Sequence, residues 1–198
     1  DMGETDVINH TIDTGDNKPT SQPLRPIAMA RRKPLENDLD EKLEAGIIEP
    51  ACNPYAANLV LLSKPDGSIR ICCDYRSLNA VTKRDSYPLP RIDQCLGALG
   101  GRNAWYSTFD LRSGCHQVPM HPRDKEKTTF ICHKGSFCFR KMPMGLVNAG
   151  ATFQRLMDIV LAGLTFESCV VYLDDIIVFS ANLEEHLQRV ERMLQRLK

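Results

Sequence analysis

The chain has 198 residues, with 25 Lys and Arg balanced by 25 Asp and Glu for a formal net charge of zero at pH 7. That length serves one good-sized core or two small, closely packed subdomains, no run of about 18 apolar residues is there to span a membrane, and no basic-then-apolar N-terminal layout marks a secretory signal. A neutral chain has no general attraction for nucleic acid, so any phosphate-binding surface must concentrate its positives, as Arg31-Arg32-Lys33, Lys83-Arg84 or Arg140-Lys141 do locally.

Residues 1–30 are polar and carry Pro19, Pro23 and Pro26, which predicts an extended segment packed over other structure. Pro34 marks the start of a helix running to about Ala45, with Leu35, Leu39 and Leu43 on one stripe and Gly46 ending it. Leu59–Ser63 and Ile69–Cys73 read as a hairpin closed by Pro65-Asp66-Gly67-Ser68. Ile92–Leu99 is a short helix stopped by Gly100-Gly101. Ala104–Asp110 is a strand, and Gln117–Met120 reads as another. Thr128–His133 and Phe137–Arg140 form a second hairpin around Lys134-Gly135. Ala149–Leu161 is a helix, with Gly163 beyond it. The last helix is capped by Asn182, with Leu183, Leu187, Val190, Leu194 and Leu197 predicted on its buried face. Strands and helices mix without regular alternation, which predicts an α+β fold.

Cysteine usage is high, with eight residues, yet none forms Cys-x-x-Cys. A zinc site from Cys115-His116 and Cys132-His133 has a spacing that matches no familiar finger. The pattern predicts reduced, mostly buried thiols in an intracellular protein.

Two acidic sites stand out. Tyr172-Leu173-Asp174-Asp175 lies between the apolar runs Cys169-Val170-Val171 and Ile176-Ile177-Val178-Phe179, and adjacent carboxylates beside so much apolar surface have to be neutralised, paired or bound to a hard cation. Asp110 ends the strand-like run from Ala104. Carboxylates from separate strands converging on one point are what two-metal phosphoryl transfer needs. A polar turn capping a hairpin, and an Asp capping a strand, are the ordinary alternatives.

These residues resemble a known family. Tyr172-Leu173-Asp174-Asp175 looks like the Tyr-x-Asp-Asp box of reverse transcriptases, and Phe109-Asp110-Leu111-Arg112-Ser113-Gly114 resembles their first-aspartate motif. Ser63-Lys64-Pro65-Asp66-Gly67-Ser68-Ile69-Arg70, followed by Cys73-Asp74-Tyr75-Arg76-Ser77-Leu78-Asn79, resembles the fingers hairpin. Tyr87-Pro88-Leu89-Pro90-Arg91-Ile92-Asp93 resembles the segment leading into the palm. Met142-Pro143-Met144-Gly145-Leu146 with Asn148 to Gln154 resembles the loop and helix before the catalytic hairpin. Together with His10 to Asp16 and Gly46 to Pro50, the order of motifs is similar to that of gypsy-type long-terminal-repeat retrotransposon polyproteins.

The resemblance implies a polymerase palm, an antiparallel sheet backed by helices, with a fingers subdomain and the thumb absent. Residues 1–30 would be the extended leading segment, 31–90 and 118–148 the fingers, and 91–117 and 149–198 the palm. It implies RNA- and DNA-directed DNA polymerisation, with Asp110, Asp174 and the backbone of Leu111 holding two Mg²⁺ ions (or Mn²⁺) and Asp175 completing or tuning the site. Lys64 and Arg70 match positions that clamp the incoming deoxynucleoside triphosphate, and Met144-Gly145 matches the floor of its site. Cys115 stands where the family carries an aromatic, usually Tyr, under the incoming sugar. Asp74, Arg76, Tyr172 and Gln154 match template and primer positions, a structural Asp74–Arg76 salt bridge being the alternative for that pair. The implied partners are an RNA/DNA template-primer, deoxynucleoside triphosphates and the remaining polyprotein domains (thumb, RNase H, integrase), with no membrane. The implied location is the cytoplasm, in a virus-like particle, with access to the nucleus. A domesticated or decayed element acting as a noncatalytic binding module is the competing reading. Without a thumb, and with no net positive charge, the isolated chain is expected to hold primer-template weakly.

Overall fold

Leu35 and Leu39, both fully buried, set the face by which the first long helix packs in this computed structural model, which describes residues 3–63, 69–111 and 113–198. In chain order the elements are α1 (Met29–Glu44), β1 (Ile48–Pro50), β2 (Ala57–Ser63), β3 (Ile69–Cys73), α2 (Arg76–Val81), α3 (Ile92–Leu99) and β4 (Trp105–Asp110). There follow β5 (Phe130–Cys132), β6 (Gly135–Phe139), α4 (Ala149–Val160), β7 (Cys169–Tyr172), β8 (Asp175–Ser180) and α5 (Leu183–Arg196). They fall into two compact units, Asp1–Arg84 with Cys115–Ala149 and Asp85–Gly114 with Gly150–Lys198. Among the described residues no helix is long and apolar enough to cross a membrane.

The first unit holds a five-stranded sheet in the order β1-β6-β5-β2-β3. Its β2–β3 pairing runs from Leu59 opposite Cys73 to Ser63 opposite Ile69, the hairpin expected from the alternation, while its turn lies outside the described residues. One pair, β2–β5, is parallel through Ala57 and Phe130. Among the leading segment's described residues, those ahead of α1 (3–28) form no helix or strand. The segment is tied down by bridges from His10 to Met120 and from Ser21 to Ala56, and by the Ile12 N–H donating to Asp124 Oδ2 at 3.0 Å.

Two expectations for this unit are corrected. Helix α1 begins at Met29, so Pro34 sits inside it rather than near its start. Proline there forfeits only one ladder bond, to the carbonyl of Ala30, and burial of Leu35 and Leu39 offsets the loss. The end is as expected: Gly46 has φ of 65°, its N–H donates to the Leu43 carbonyl at 3.1 Å, and the Ile47 N–H donates to Lys42 at 2.9 Å. Residues 117–120 are not a strand. A 3₁₀ turn, Gly114–Gln117, runs into isolated bridges at Pro119 and Met120, because Pro119 has no N–H to continue a ladder.

The second unit is a three-stranded antiparallel sheet, β4-β8-β7, with helices against it. Helix α3 covers one face, where its Cys95 packs with Val170 and Phe179. Helix α5 begins as predicted, the Glu185 N–H donating to Asn182 Oδ1 at 2.9 Å. Its buried face is not the leucine stripe. His186 and Met193 are buried while Leu183, Leu187 and Leu194 are exposed. The histidine goes inward because both ring nitrogens find hydroxyls there, Ser107 Oγ at 2.8 Å and Ser180 Oγ at 2.9 Å.

Candidate active site

Strands β4 and β8 pair in a register that sets Asp110 directly opposite Asp175. Since side chains alternate along a strand, the two carboxylates share one sheet face with Ile177 and with Tyr172, which pairs with Asp175 at the end of β7. Like charges directly opposite one another destabilise a sheet. The β7–β8 connection is a two-residue turn, Leu173-Asp174, so Asp175 belongs to the strand and only Asp174 to the turn. Only the first central residue, Leu173, has positive φ (54°), a position that turns of this kind ordinarily give to glycine. Holding leucine there costs on the order of 1–3 kcal/mol.

Charge adds to that strain. The Asp174 carboxyl is raised above the usual carboxylate range, first by burial and then by the negative charges of Asp110 and Asp175. Leu111 follows Asp110, and its carbonyl accepts the Gly114 N–H at 3.1 Å, leaving one lone pair. Gly114 has no room for a side chain, since a Cβ would fall 2.8 Å from the Phe153 ring. Tyr172 and Asp175 line an apolar cavity of about 280 Å³ with Ile92, Cys95, Leu96 and Val170.

Gln154, matched by motif to a template or primer position, is turned into its own unit. It is 1% exposed, and its side chain is engaged inside the unit: Oε1 accepts the Leu173 N–H at 3.3 Å and Nε2 donates to Asp158 Oδ1 at 3.0 Å. Each end of this buried amide is therefore engaged within its own unit.

The first unit brings together a second group. Arg70, Met144 and Gly145 line a cavity of about 250 Å³, with Arg70 Nη2 3.3 Å from Met144 Sδ. Gly145 has φ of 96°, and its carbonyl accepts from Asn79 Nδ2 at 2.8 Å. His116, Phe139, Cys72 and Cys73 also line it; none of the four was read from the sequence as part of a nucleotide site. Burial lowers the His116 pKa and pushes the Cys73 thiol up to about 12, so both are neutral there. Cys115 is half-buried, does not line this cavity, and its carbonyl accepts the Val118 N–H at 3.2 Å. Asp74 is buried and grips Arg76 through two bonds of 2.8 Å, to Nε and Nη2, which hold its carboxyl down at about 2. The salt bridge is therefore formed, and the Arg76 side chain remains 82% exposed. Lys64 lies outside the described residues.

Residues 62–198 match the family model described as reverse transcriptase (RNA-dependent DNA polymerase). The chain belongs to the reverse transcriptase family. It is 39% identical over 198 residues to the retrovirus-related Pol polyprotein from transposon 297 of Drosophila melanogaster, covering 98% of this chain and 19% of that protein. Against the Pol polyprotein from transposon gypsy of the same organism it is 35% identical over 195 residues, again 19% of the longer protein. The chain thus spans about a fifth of the length of these two polyproteins. Among solved structures, the prototype foamy virus protease-reverse transcriptase aligns with a TM-score of 0.88 and 25% identity over the whole of this chain and 26% of that one. The foamy viral enzyme in complex with an RNA/DNA hybrid shares the fold with a TM-score of 0.86 at 23% identity, over 100% of this chain and 26% of that one. The α+β architecture is that of a reverse transcriptase palm and fingers.

Reverse transcriptases use divalent metal ions. The aspartates offer oxygen donors only, the chemistry a hard cation prefers, and their mutual repulsion is what a cation relieves. Among the described residues no three His, Cys, Asp or Glu side chains close into a metal-holding cluster. An open set of this kind suits Mg²⁺, which takes one or two carboxylates and completes its shell with waters and substrate phosphate.

Proposed function

We propose that this chain is the fingers-and-palm part of an RNA- and DNA-directed DNA polymerase that copies a retroelement RNA into DNA. The observation that carries the reading is the β4–β8 register, which stands Asp110 opposite Asp175 beside the turn that bears Asp174. Asp110, Asp174 and the remaining lone pair of the Leu111 carbonyl would hold two Mg²⁺ or Mn²⁺ ions. When bound, the ions supply acidity to a primer 3′-hydroxyl and neutralise charge on the departing pyrophosphate. Asp175 adds negative potential next to them. Arg70, with Lys64, would meet the oxygens of a deoxynucleoside triphosphate through its planar fork, and the positive φ of Gly145 lets backbone approach that ligand. Cys115, smaller than the aromatic common at its position, would leave more room beneath the sugar. Asp74 fixes the exposed Arg76 guanidinium for the template strand.

In this reading residues 31–90 and 118–148 serve as fingers, and 91–117 and 149–198 as palm, following the extended leading segment at residues 1–30. The remaining polyprotein domains (thumb, RNase H and integrase) would complete the grip on template-primer, in a cytoplasmic virus-like particle. Neutral charge supports that division of labour, since a chain with no net positive charge has no overall field to hold a duplex. The test is metal-dependent addition of a single nucleotide to a primer, on RNA and on DNA templates, by this chain and by one extended through the thumb. Addition that needs Mg²⁺ and is lost in Asp110→Asn supports the polymerase. RNA binding without Mg²⁺ binding or nucleotide addition would replace it with a noncatalytic module.

A further inference from the structure

Gln154 begins a chain of buried and half-buried polar groups that the aspartate chemistry does not use. Its carbonyl oxygen accepts the Leu173 N–H at 3.3 Å, and its amide nitrogen donates to Asp158 Oδ1 at 3.0 Å. Asp158 Oδ2 in turn accepts the Tyr87 hydroxyl at 2.7 Å. Tyr87 is itself clamped: its N–H donates to Asp85 Oδ1 at 3.0 Å, and the Arg155 guanidinium lies 4.5 Å over its ring while donating to Asp85 Oδ2 at 2.7 Å. A carboxylate accepts from both neighbours, so the amide NH₂ must face Asp158 and the amide carbonyl must face the turn. Gly150, one helical turn before Gln154, presents a surface where a Cβ would lie 3.5 Å from Leu173 Cδ2. One face of α4 thus meets both the backbone and the side chain of the residue held at positive φ.

We propose that Tyr87, Asp158 and Gln154 form a positioning relay that holds Leu173 in its left-handed conformation and thereby sets where Asp174 and Asp175 stand relative to Asp110. The proposal rests on the polymerase reading. Leucine relaxes toward negative φ when nothing opposes it. That rotation re-aims the next peptide and carries the Asp174 carboxylate away from Asp110. The relay therefore acts on metal affinity and on the rate of the chemical step, not on nucleotide binding.

The test measures Mn²⁺ affinity of the 198-residue chain by electron paramagnetic resonance, thermal unfolding without metal, and kcat and KM for single-nucleotide addition. Gln154→Leu keeps the bulk and removes both bonds. It is expected to weaken Mn²⁺ binding at least fivefold and to lower kcat at least tenfold, with KM for the nucleotide within twofold. Gln154→Glu alone sets one carboxylate against another and has the same effect. Combined with Asp158→Asn it turns the middle bond round, the new amide donating to the new carboxylate, and both quantities return to within twofold of the parent. Tyr87→Phe, which deletes a single hydroxyl, gives a smaller loss of about threefold and serves if Gln154→Leu does not fold. Parent-like Mn²⁺ affinity in folded Gln154→Leu, or no recovery in the folded double variant, overturns the relay. Mn²⁺ binding that persists unchanged in Asp110→Asn/Asp174→Asn removes the polymerase reading first, and the relay with it.

Discussion

Two hairpins in this molecule use two-residue turns and treat strain and charge in opposite ways. In β5–β6 the pair Cys132 and Gly135 closes around His133 and Lys134, and the positive φ (127°) falls on glycine. Both polar side chains of that turn meet an acidic partner on α1: His133 Nε2 lies 2.9 Å from Glu36 Oε1 and Lys134 Nζ 3.0 Å from Asp40 Oδ1. In β7–β8 the positive φ falls on Leu173, and the turn acid Asp174 feels the like charges of Asp110 and Asp175 on the adjoining strands. The first turn is built for stability. The second gives up stability locally and needs its surroundings to hold it, which is how strained and like-charged groups mark sites of function.

Removing charge from the second turn should break the comparison most sharply. Asp110→Asn or Asp174→Asn is expected to lower metal-dependent extension by about a thousandfold or more while the fold stays intact, checked by primer extension beside circular dichroism. Near-parent extension by either variant would return the turn to the ordinary class. Gly114→Ala and Gly135→Ala separate the two kinds of glycine. The first forces a Cβ against the Phe153 ring and should cost about 1–3 kcal/mol in urea unfolding. The second meets no neighbour and should cost the φ penalty alone, on the order of 1–3 kcal/mol.

A pH series sharpens the charge argument. The Asp174 pKa is raised in the folded state, so the native protein binds that proton more tightly than the unfolded chain, and metal-free stability falls as pH rises above the unfolded value of 3.8. Asp174→Asn should therefore be more stable than the parent at pH 7 and lose that advantage below about pH 3.8, read from thermal unfolding without metal. Asp74 behaves oppositely. Its carboxyl is depressed to about 2 by Arg76, so its contribution is complete above the unfolded value and fades as pH falls toward 2. The smallest effect belongs to the ordinary hairpin, where Lys134→Ala should change stability by less than about 0.5 kcal/mol and leave extension untouched.

Of the candidate site, the acids and the order of the motifs are legible in the sequence, because adjacent carboxylates amid apolar strands are unusual at the level of single residues. The role of Gln154 is not. As a polar residue in a helix it reads as surface, and only the return of the chain 19 residues later brings the Leu173 N–H to it. Asp74 and Arg76 sit two apart, yet which of them is buried and which exposed depends on the strands around Asp74.

By itself the sequence determined the elements whose signals are local: α3 over Ile92–Leu99, the Asn182 cap, the Gly46 helix end and the Leu59–Cys73 hairpin, each written within a few residues by periodicity, capping or turn chemistry. Tertiary structure decided the rest. It made Pro34 tolerable inside α1 by burying the leucines around it. It paired β2 with β5 across some seventy residues, and it turned His186 inward in place of the leucine stripe because two hydroxyls waited there. In each case the deciding energy came from burial or from a hydrogen-bond partner distant in sequence, which no local pattern encodes.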